Sequence, residues 1–266
     1  MRHAAVIFRD FVGIVRICGL SIGVRWLAGI LLNIPAILSA KNLQPADRAV
    51  GKGPFRIRHC GTSFLIAGSF AMSGVREMYV RDTYFRRGML KVNVGDTVLD
   101  LGANIGNFTN LALACGAGRV VAVEPRREYN SMFRDSVGLN KGFLERVTLV
   151  RAFLGSSSTP TNPMAPSTEC PDEDAPWIAE DQLLKQVAVD KIDFLKCDIE
   201  GGEFSLLSRE SALLAMTQSL AMEVHSFAGD VAEFIRNLEL CGFRILLSDF
   251  APDGSSTVLA TRKHPA

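Results

Sequence analysis

The sequence predicts an α/β fold: a doubly wound, Rossmann-like sheet, mostly parallel, that closes on a C-terminal antiparallel hairpin. Three observations carry this. First, from residue 97 onward, short apolar runs of strand length alternate with segments of helix length, the pattern of a parallel sheet covered by helices. Second, two successive strands end in acids. Val98-Leu99-Asp100-Leu101 leads into the turn Gly102-Ala103-Asn104-Ile105-Gly106, and Arg119-Val120-Val121-Ala122-Val123 leads into Glu124 about twenty residues later. Third, Phe243-Arg244-Ile245-Leu246-Leu247 and Thr257-Val258-Leu259-Ala260-Thr261 are joined by a short loop holding Asp253-Gly254. That loop has no room for a crossover helix, so the two strands must be antiparallel.

In chain order, residues 1–41 are apolar with interspersed arginines and read as a helical segment. Arg2, Arg9 and Arg16 recur at heptad spacing and share a helical face. Two readings stand for this segment: peripheral contact with a membrane surface, or a helix packed on the main domain or another subunit. Its longest uncharged run, 26–40, is shorter than the ~20 residues of a spanning helix. A signal peptide fits poorly, because its charged region would be unusually long and Leu38-Ser39-Ala40 lacks the small residue expected two places before a cleavage site. Residues 42–74 read as a linker over 42–52, followed by a short hairpin around Gly61 built from 55–58 and 63–66. Residues 75–266 form the main domain. It opens with a helix over 75–90, then strands near 97–102, 119–124, 147–153, 192–198 and 219–225, with helices over 106–115, 127–139, 203–215 and 229–241. Ser156 to Pro176, rich in Ser, Thr, Pro and acids, reads as an exposed loop between the third and fourth core strands.

The turn after the first core strand carries the functional signal. Glycines at 102 and 106 admit backbone conformations closed to other residues, and the turn aims N–H groups and a helix N-terminus above the strand. Glu124 is placed for ribose hydroxyls. A dinucleotide fingerprint would put glycine where Asn104 stands, and Asp100 would repel a pyrophosphate. S-adenosylmethionine, with a sulfonium, an ammonium, a ribose diol and no phosphate, suits these residues better. Asp100, Gly102, Asn104, Gly106 and Glu124 are the expected cofactor residues.

The acceptor side is expected at the ends of the fourth and fifth strands, where open α/β sheets bind ligands. Asp198 ends the fourth strand and His225 the fifth. An imidazole of ordinary pKa ~6.5 can accept a proton from an attacking hydroxyl, so His225 and Asp198 are the candidate catalytic pair. Glu223 shares a sheet face with His225 and is expected either to orient it or to hold substrate. Tyr84, Glu200 and Glu223 are the expected substrate residues. Glu203, at a helix start, is expected to cap, and Lys196 to cover a sheet edge or pair with an acid. No metal is required, although the carboxylates of Asp198, Glu200 and Glu223 leave metal assistance open.

Four segments together resemble the FkbM family of S-adenosylmethionine-dependent methyltransferases. They are Val98–Thr109, Val123-Glu124-Pro125, Ile192–Glu203 with its Asp198-Ile199-Glu200-Gly201-Gly202 core, and Glu223-Val224-His225. The segment from Arg76 to Phe85 resembles the family's lead-in, and the likeness spans about residues 75–247. The resemblance implies a class I methyltransferase fold, S-adenosylmethionine as cofactor, and methylation of hydroxyls on sugars, glycans or secondary metabolites. The Ser/Pro-rich insert and the apolar N-terminus depart from the family pattern.

Bulk properties narrow the classes. The net charge is +1 over 266 residues, which gives no electrostatic case for a nucleic-acid partner. The fourth strand lacks the Asn/Asp-Pro-Pro-aromatic run of amino-methylating DNA enzymes, and there is no Pro-Cys nucleophile. The six cysteines have no framework spacing and suit a cytoplasmic protein. The rivals are a nicotinamide-dependent oxidoreductase, disfavoured by Asn104 and the closing hairpin, and an inactive binding module with the same fold.

Overall fold

The computed structural model describes residues 2–155, 174–206 and 211–263. The chain forms two compact units. One holds residues 1–83, 105–115 and 131–145, and the other 84–104, 116–130 and 146–266.

The first unit begins with helices α1 (Arg2–Cys18), α2 (Leu20–Leu32), α3 (Ile34–Ala40) and α4 (Gln44–Val50). The stretch 42–52, expected to be a linker, thus contains a helix. Pro45 sits in its first turn, where a missing N–H costs nothing. Gly29 of α2 lets α4 approach closely, since a Cβ there would lie 2.9 Å from the Ala46 carbonyl oxygen. Ile14, Ile17, Trp26 and Ile30 are buried, so α1 and α2 pack into this unit by one face. Buried ion pairs tie the helices together. Arg76 grips Asp47 with two hydrogen bonds of 2.8 and 2.6 Å and reaches Asp10 at 3.3 Å, while the Trp26 indole N–H donates to Asp47 at 2.8 Å. A forked guanidinium on a carboxylate is the arrangement that best repays burying both charges.

The hairpin is present as β1 (Phe55–His59) and β2 (Thr62–Ile66), paired antiparallel about Cys60-Gly61. Instead of one helix over 75–90, the chain forms a short α5 (Ala71–Gly74) and a π-helical turn at Val75–Val80. Left-handed backbone at Asp82, Arg86 and Arg87 prevents the helix from continuing. Helix α6 (Asn107–Ala114) and residues 131–145, including much of α7 (Arg127–Gly138), complete the unit.

The second unit is built on a seven-stranded sheet in the order β10-β11-β9-β8-β3-β4-β5. Its strands are β3 (Thr97–Leu101), β4 (Arg119–Val123), β5 (Val147–Val150), β8 (Ile192–Cys197), β9 (Thr217–Val224), β10 (Phe243–Phe250) and β11 (Ser256–Arg262). From β9 to β5 neighbouring strands are parallel, and β11 lies antiparallel between β9 and β10. The expected doubly wound sheet with its closing antiparallel hairpin is the fold observed. Val98, Leu99, Leu101, Val121, Phe194, Leu195, Leu220 and Met222 are buried, as the interior strands of a sheet covered on both faces require. Helix α10 (Val231–Leu240) starts at an Asp230 cap whose side chain accepts the Glu233 N–H.

One further expectation needs correction here. The helix over 203–215 is a 3-10 turn at Gly202–Leu206 and a separate short α9 (Ala212–Met216), which starts afresh from extended backbone at the Ser211 cap. Beyond the expected elements, the chain forms a helix α8 (Glu180–Val187) and a short pair β6 (Phe153–Leu154) and β7 (Trp177–Ile178), of which Phe153 falls in the expected strand 147–153 and 177–187 had no assigned element. Most of the 156–176 insert lies outside the described residues.

Candidate active site

Parallel pairing brings the carboxyl ends of β3, β8 and β9 level, with Leu101 opposite Cys197 and Cys197 opposite Met222. The residues after each strand end therefore gather on one rim of the sheet. Gly102 takes φ 73°, and a Cβ built on it would stand 1.8 Å from the Asp198 carbonyl oxygen. A side chain there would collide with the neighbouring strand end, so the glycine is needed where the two strand ends abut. Gly106, in the other unit, precedes α6 at φ 82°. A Cβ there would meet Phe133 at 2.9 Å, so its role is also close packing.

Glu124 is almost wholly buried. One oxygen accepts the Asn104 N–H at 2.9 Å and the other the Arg126 N–H at 3.0 Å. Burial raises its pKa, partly offset by those two N–H groups. Asp100 is fully buried, with Lys196 Nζ 3.4 Å from its Oδ1. Lys196 lies on the interior strand β8 and not at a sheet edge. It also donates to the Leu101 and Gly102 carbonyls at 3.1 and 2.6 Å. Burial works against the ammonium, but Asp100 and Asp198 outweigh it and the pKa is raised. Asp100 and Lys196 together hold the turn at the end of β3.

A second cluster on this rim centres on His225. Its Nδ1 lies 3.1 Å from Glu203 Oε1. Its Nε2 lies 3.6 Å from Glu200 and 3.9 Å from Asp198. Glu203 is fully buried, accepting the Ile199 and Gly201 N–H groups at 2.9 Å each. It staples the loop after β8 and orients the imidazole, a role that the sequence reading weighed for Glu223 and missed for Glu203. Glu223 sits on β9 opposite Thr257 of β11. Burial alone would lower the His225 pKa, but Glu203, Asp198 and Glu200 more than reverse this and raise it to about 9. Tyr84 is buried, its hydroxyl 3.4 Å from Asp198 Oδ2 and its ring 5.7 Å from Lys196 Nζ. Glu200 takes left-handed backbone, φ 54°, and its side chain is mostly exposed. Among the described residues, Asp198, Glu203 and His225 also present metal-type donor atoms within 4.8 Å of one another. Both Glu203 oxygens are already engaged by N–H donors.

A family model described as the methyltransferase FkbM domain matches residues 100–245. The chain belongs to the FkbM methyltransferase family. A search of curated proteins finds no match. Among solved structures, this FkbM methyltransferase is similar to the ribosomal protein L11 methylase of Lactobacillus delbrueckii subsp. bulgaricus, at 17% identity and TM-score 0.44, over 74% of this chain and 78% of that one. It is also similar to the precorrin-6y C5,15-methyltransferase of Geobacter metallireducens, at 15% identity and TM-score 0.43, over 70% of this chain and 87% of that one.

The residues present fit S-adenosylmethionine. A carboxylate offers about four acceptor positions, and the two backbone bonds on Glu124 leave room for a ribose diol. The Asn104 N–H, which a pyrophosphate would need, already donates to Glu124.

Proposed function

We propose that this FkbM methyltransferase transfers a methyl group to a hydroxyl of a sugar, glycan or secondary metabolite, and that nucleic acid is not its acceptor. One observation carries the reading: an imidazole at the end of β9 is held at Nδ1 by a buried carboxylate and turned at Nε2 toward the acceptor rim. Bound S-adenosylmethionine supplies an electrophilic methyl on a sulfonium. Glu124 would hold the ribose, and the Gly102–Asn104 backbone would border the amino-acid part. Asp198, Tyr84, Glu200 and Glu223 border the acceptor, and Asp198 positions its hydroxyl. The proton leaves the hydroxyl for His225 Nε2 as the carbon–oxygen bond forms. Much of the rate comes from holding the oxygen in line with the methyl carbon. The test is a screen of hydroxylated metabolites and glycans with methyl-labelled cofactor. Label recovered in a methyl ether supports the reading, and label recovered only on nitrogen or carbon counts against it.

A peripheral membrane contact through residues 1–40 is proposed for the same chain. Phe8, Val12, Leu20, Val24, Leu31, Leu32 and Leu38 are exposed on α1–α3, and Arg9, Arg16 and Arg25 are exposed among them. Apolar side chains interleaved with cations suit an anionic lipid surface. No single described helix is long and apolar enough to cross a membrane.

A further inference from the structure

The loop after β9 carries an aromatic side chain that the proton transfer does not use. Residues 225–230 join β9 to α10, and the fold fixes them at three points. The Ala228 N–H donates to the His225 carbonyl at 3.1 Å and closes a four-residue turn. Ser226 is held from the β10–β11 loop, its N–H donating to Ser255 Oγ at 3.2 Å and its hydroxyl to the Asp253 carbonyl at 2.7 Å. Gly229 lies against Phe204, where a Cβ would come within 2.5 Å of the ring. Phe204 in turn packs edge-on against Phe234 of α10, with ring centres 5.0 Å apart. Phe227 stands outside this packing. It is 42% exposed, and its ring centre lies 5.3 Å from that of His225. A lone exposed aromatic is ordinary on a protein surface. Its place on a pinned turn beside the imidazole gives this one a role.

Hydrogen-bond acceptors stand around the same imidazole. Glu200 Oε2 lies 3.6 Å and Asp198 Oδ1 3.9 Å from Nε2, and Asp198 Oδ2 takes the Tyr84 hydroxyl at 3.4 Å. Ionised carboxylates accept and cannot donate. A molecule that satisfies them brings several donors, and one that satisfies Phe227 brings an apolar face. A saturated ring with neighbouring hydroxyls brings both: hydroxyls at its edge, and polarised C–H groups that the electron-rich face of an aromatic ring attracts. A flat phenol stacks on Phe227 but offers the carboxylates only one or two donors. An open-chain polyol offers the donors without a fixed apolar face. A phosphate, sulfate or carboxylate on the acceptor meets like charge.

Resting on the hydroxyl methylation proposed above, we propose that the acceptor is a neutral, ring-closed sugar unit and that Phe227 is the platform on which the C–H face of that ring lies. One hydroxyl of the ring then reaches His225 Nε2 while a neighbouring hydroxyl donates to Asp198 or Glu200. Phe227 supplies binding and no chemistry. The stacked face of the ring does not change as the methyl group moves to the oxygen, so the contact holds substrate and transition state alike. Such a contact lowers KM and leaves kcat where it is.

The test uses full-length protein with methyl-labelled S-adenosylmethionine. The probes are methyl hexopyranosides, the matching hexuronates, the open-chain alditols, and catechol as a flat control. At least one methyl hexopyranoside is expected to yield a methyl ether, with kcat/KM at least about 10-fold above those of its hexuronate and alditol. For that acceptor Phe227→Ala is expected to raise KM about 10-fold with kcat changed by less than about 3-fold, and Phe227→Trp to restore KM. Both variants are expected to fold, since the ring lies outside the packing of the loop, and circular dichroism checks this. An unchanged KM in folded Phe227→Ala overturns the platform. A hexopyranoside set without label overturns the sugar acceptor. A methyl ether on catechol or an alditol then leaves hydroxyl methylation standing, whereas label found only on nitrogen or carbon in the wider screen removes both readings.

Discussion

The fully buried carboxylate of Glu203 sits 3.1 Å from Nδ1 of His225. The same carboxylate accepts two backbone N–H groups of the loop after β8, so the fold of that loop and the aim of the imidazole are set by one side chain. Removing only the charge separates the two roles. Glu203→Gln is expected to fold, since it keeps the shape of the side chain, and to shift the acid limb of the pH–rate profile downward by about 1–2 units, because His225 loses its strongest anionic partner. Glu203→Ala is expected to cost about 1–3 kcal/mol of stability by leaving buried N–H groups unsatisfied. Unchanged profiles in Glu203→Gln would remove Glu203 from the site.

The raised pKa of His225 fixes the sign of the pH dependence. A base must be neutral to accept a proton, and a group held at about 9 is mostly protonated at pH 7. The kcat/KM is therefore expected to rise about tenfold per unit from pH 6 and level off near 9. Stability moves the opposite way. The ion pairing of His225 is fully present below the ordinary value of ~6.5 and is lost as pH rises through about 9. A rate profile flat from pH 6 to 9, read alongside circular dichroism to monitor folding, would speak against His225 as base.

Asp100 and Lys196 form a fully buried pair beneath the turn that carries Gly102. Lys196→Met is expected to destabilise the protein by about 3–5 kcal/mol, because it leaves Asp100 as an uncompensated buried charge. The double variant Asp100→Leu with Lys196→Met is expected to recover much of that loss. Denaturant midpoints measure both. Equal stability of Lys196→Met and wild type would mean that Asp100 finds another partner.

Much of this was legible before the structure. Acid-ended strands, alternating apolar runs and the Asp253-Gly254 loop specify the sheet and its closing hairpin through local pattern alone. The sequence places Asp198 and His225 at the ends of neighbouring strands, and the structure brings His225 Nε2 within 3.9 Å of Asp198. Glu203 reads as a cap and does accept the Ile199 and Gly201 N–H groups, but its burial and its reach back to His225 are tertiary facts with no spacing signature. Lys196 pairs with an acid, Asp100, which is one of its two expected readings, while the other, an edge position, fails because interior and edge strands look alike in sequence until pairing order is known. Helix α8 was hidden beside the Ser/Pro-rich insert, although Glu180, Asp181 and the Asp181–Lys185 pair at 3.1 Å give it acids in the first turn and an i,i+4 bridge.

The N-terminal helices present one face to their own unit and an apolar, arginine-studded face outward. Full-length protein is expected to sediment with anionic vesicles in low salt and to be released as salt screens the arginines. Phe8→Ser with Leu32→Ser is expected to weaken sedimentation several-fold while leaving the buried Ile14 and Trp26 contacts intact. Equal partitioning of wild type and variant would make that face something other than a lipid contact.

The central claim is that His225 takes the proton of an acceptor hydroxyl while Glu124 and the β3 turn hold the cofactor. The most direct measurement is turnover of His225→Ala at saturating acceptor, with the acceptor taken from the label screen, paired with calorimetry of S-adenosylmethionine binding. The account expects turnover to fall by roughly 10²–10⁴-fold with cofactor affinity unchanged. Near-normal turnover in His225→Ala, with intact cofactor binding, would contradict it.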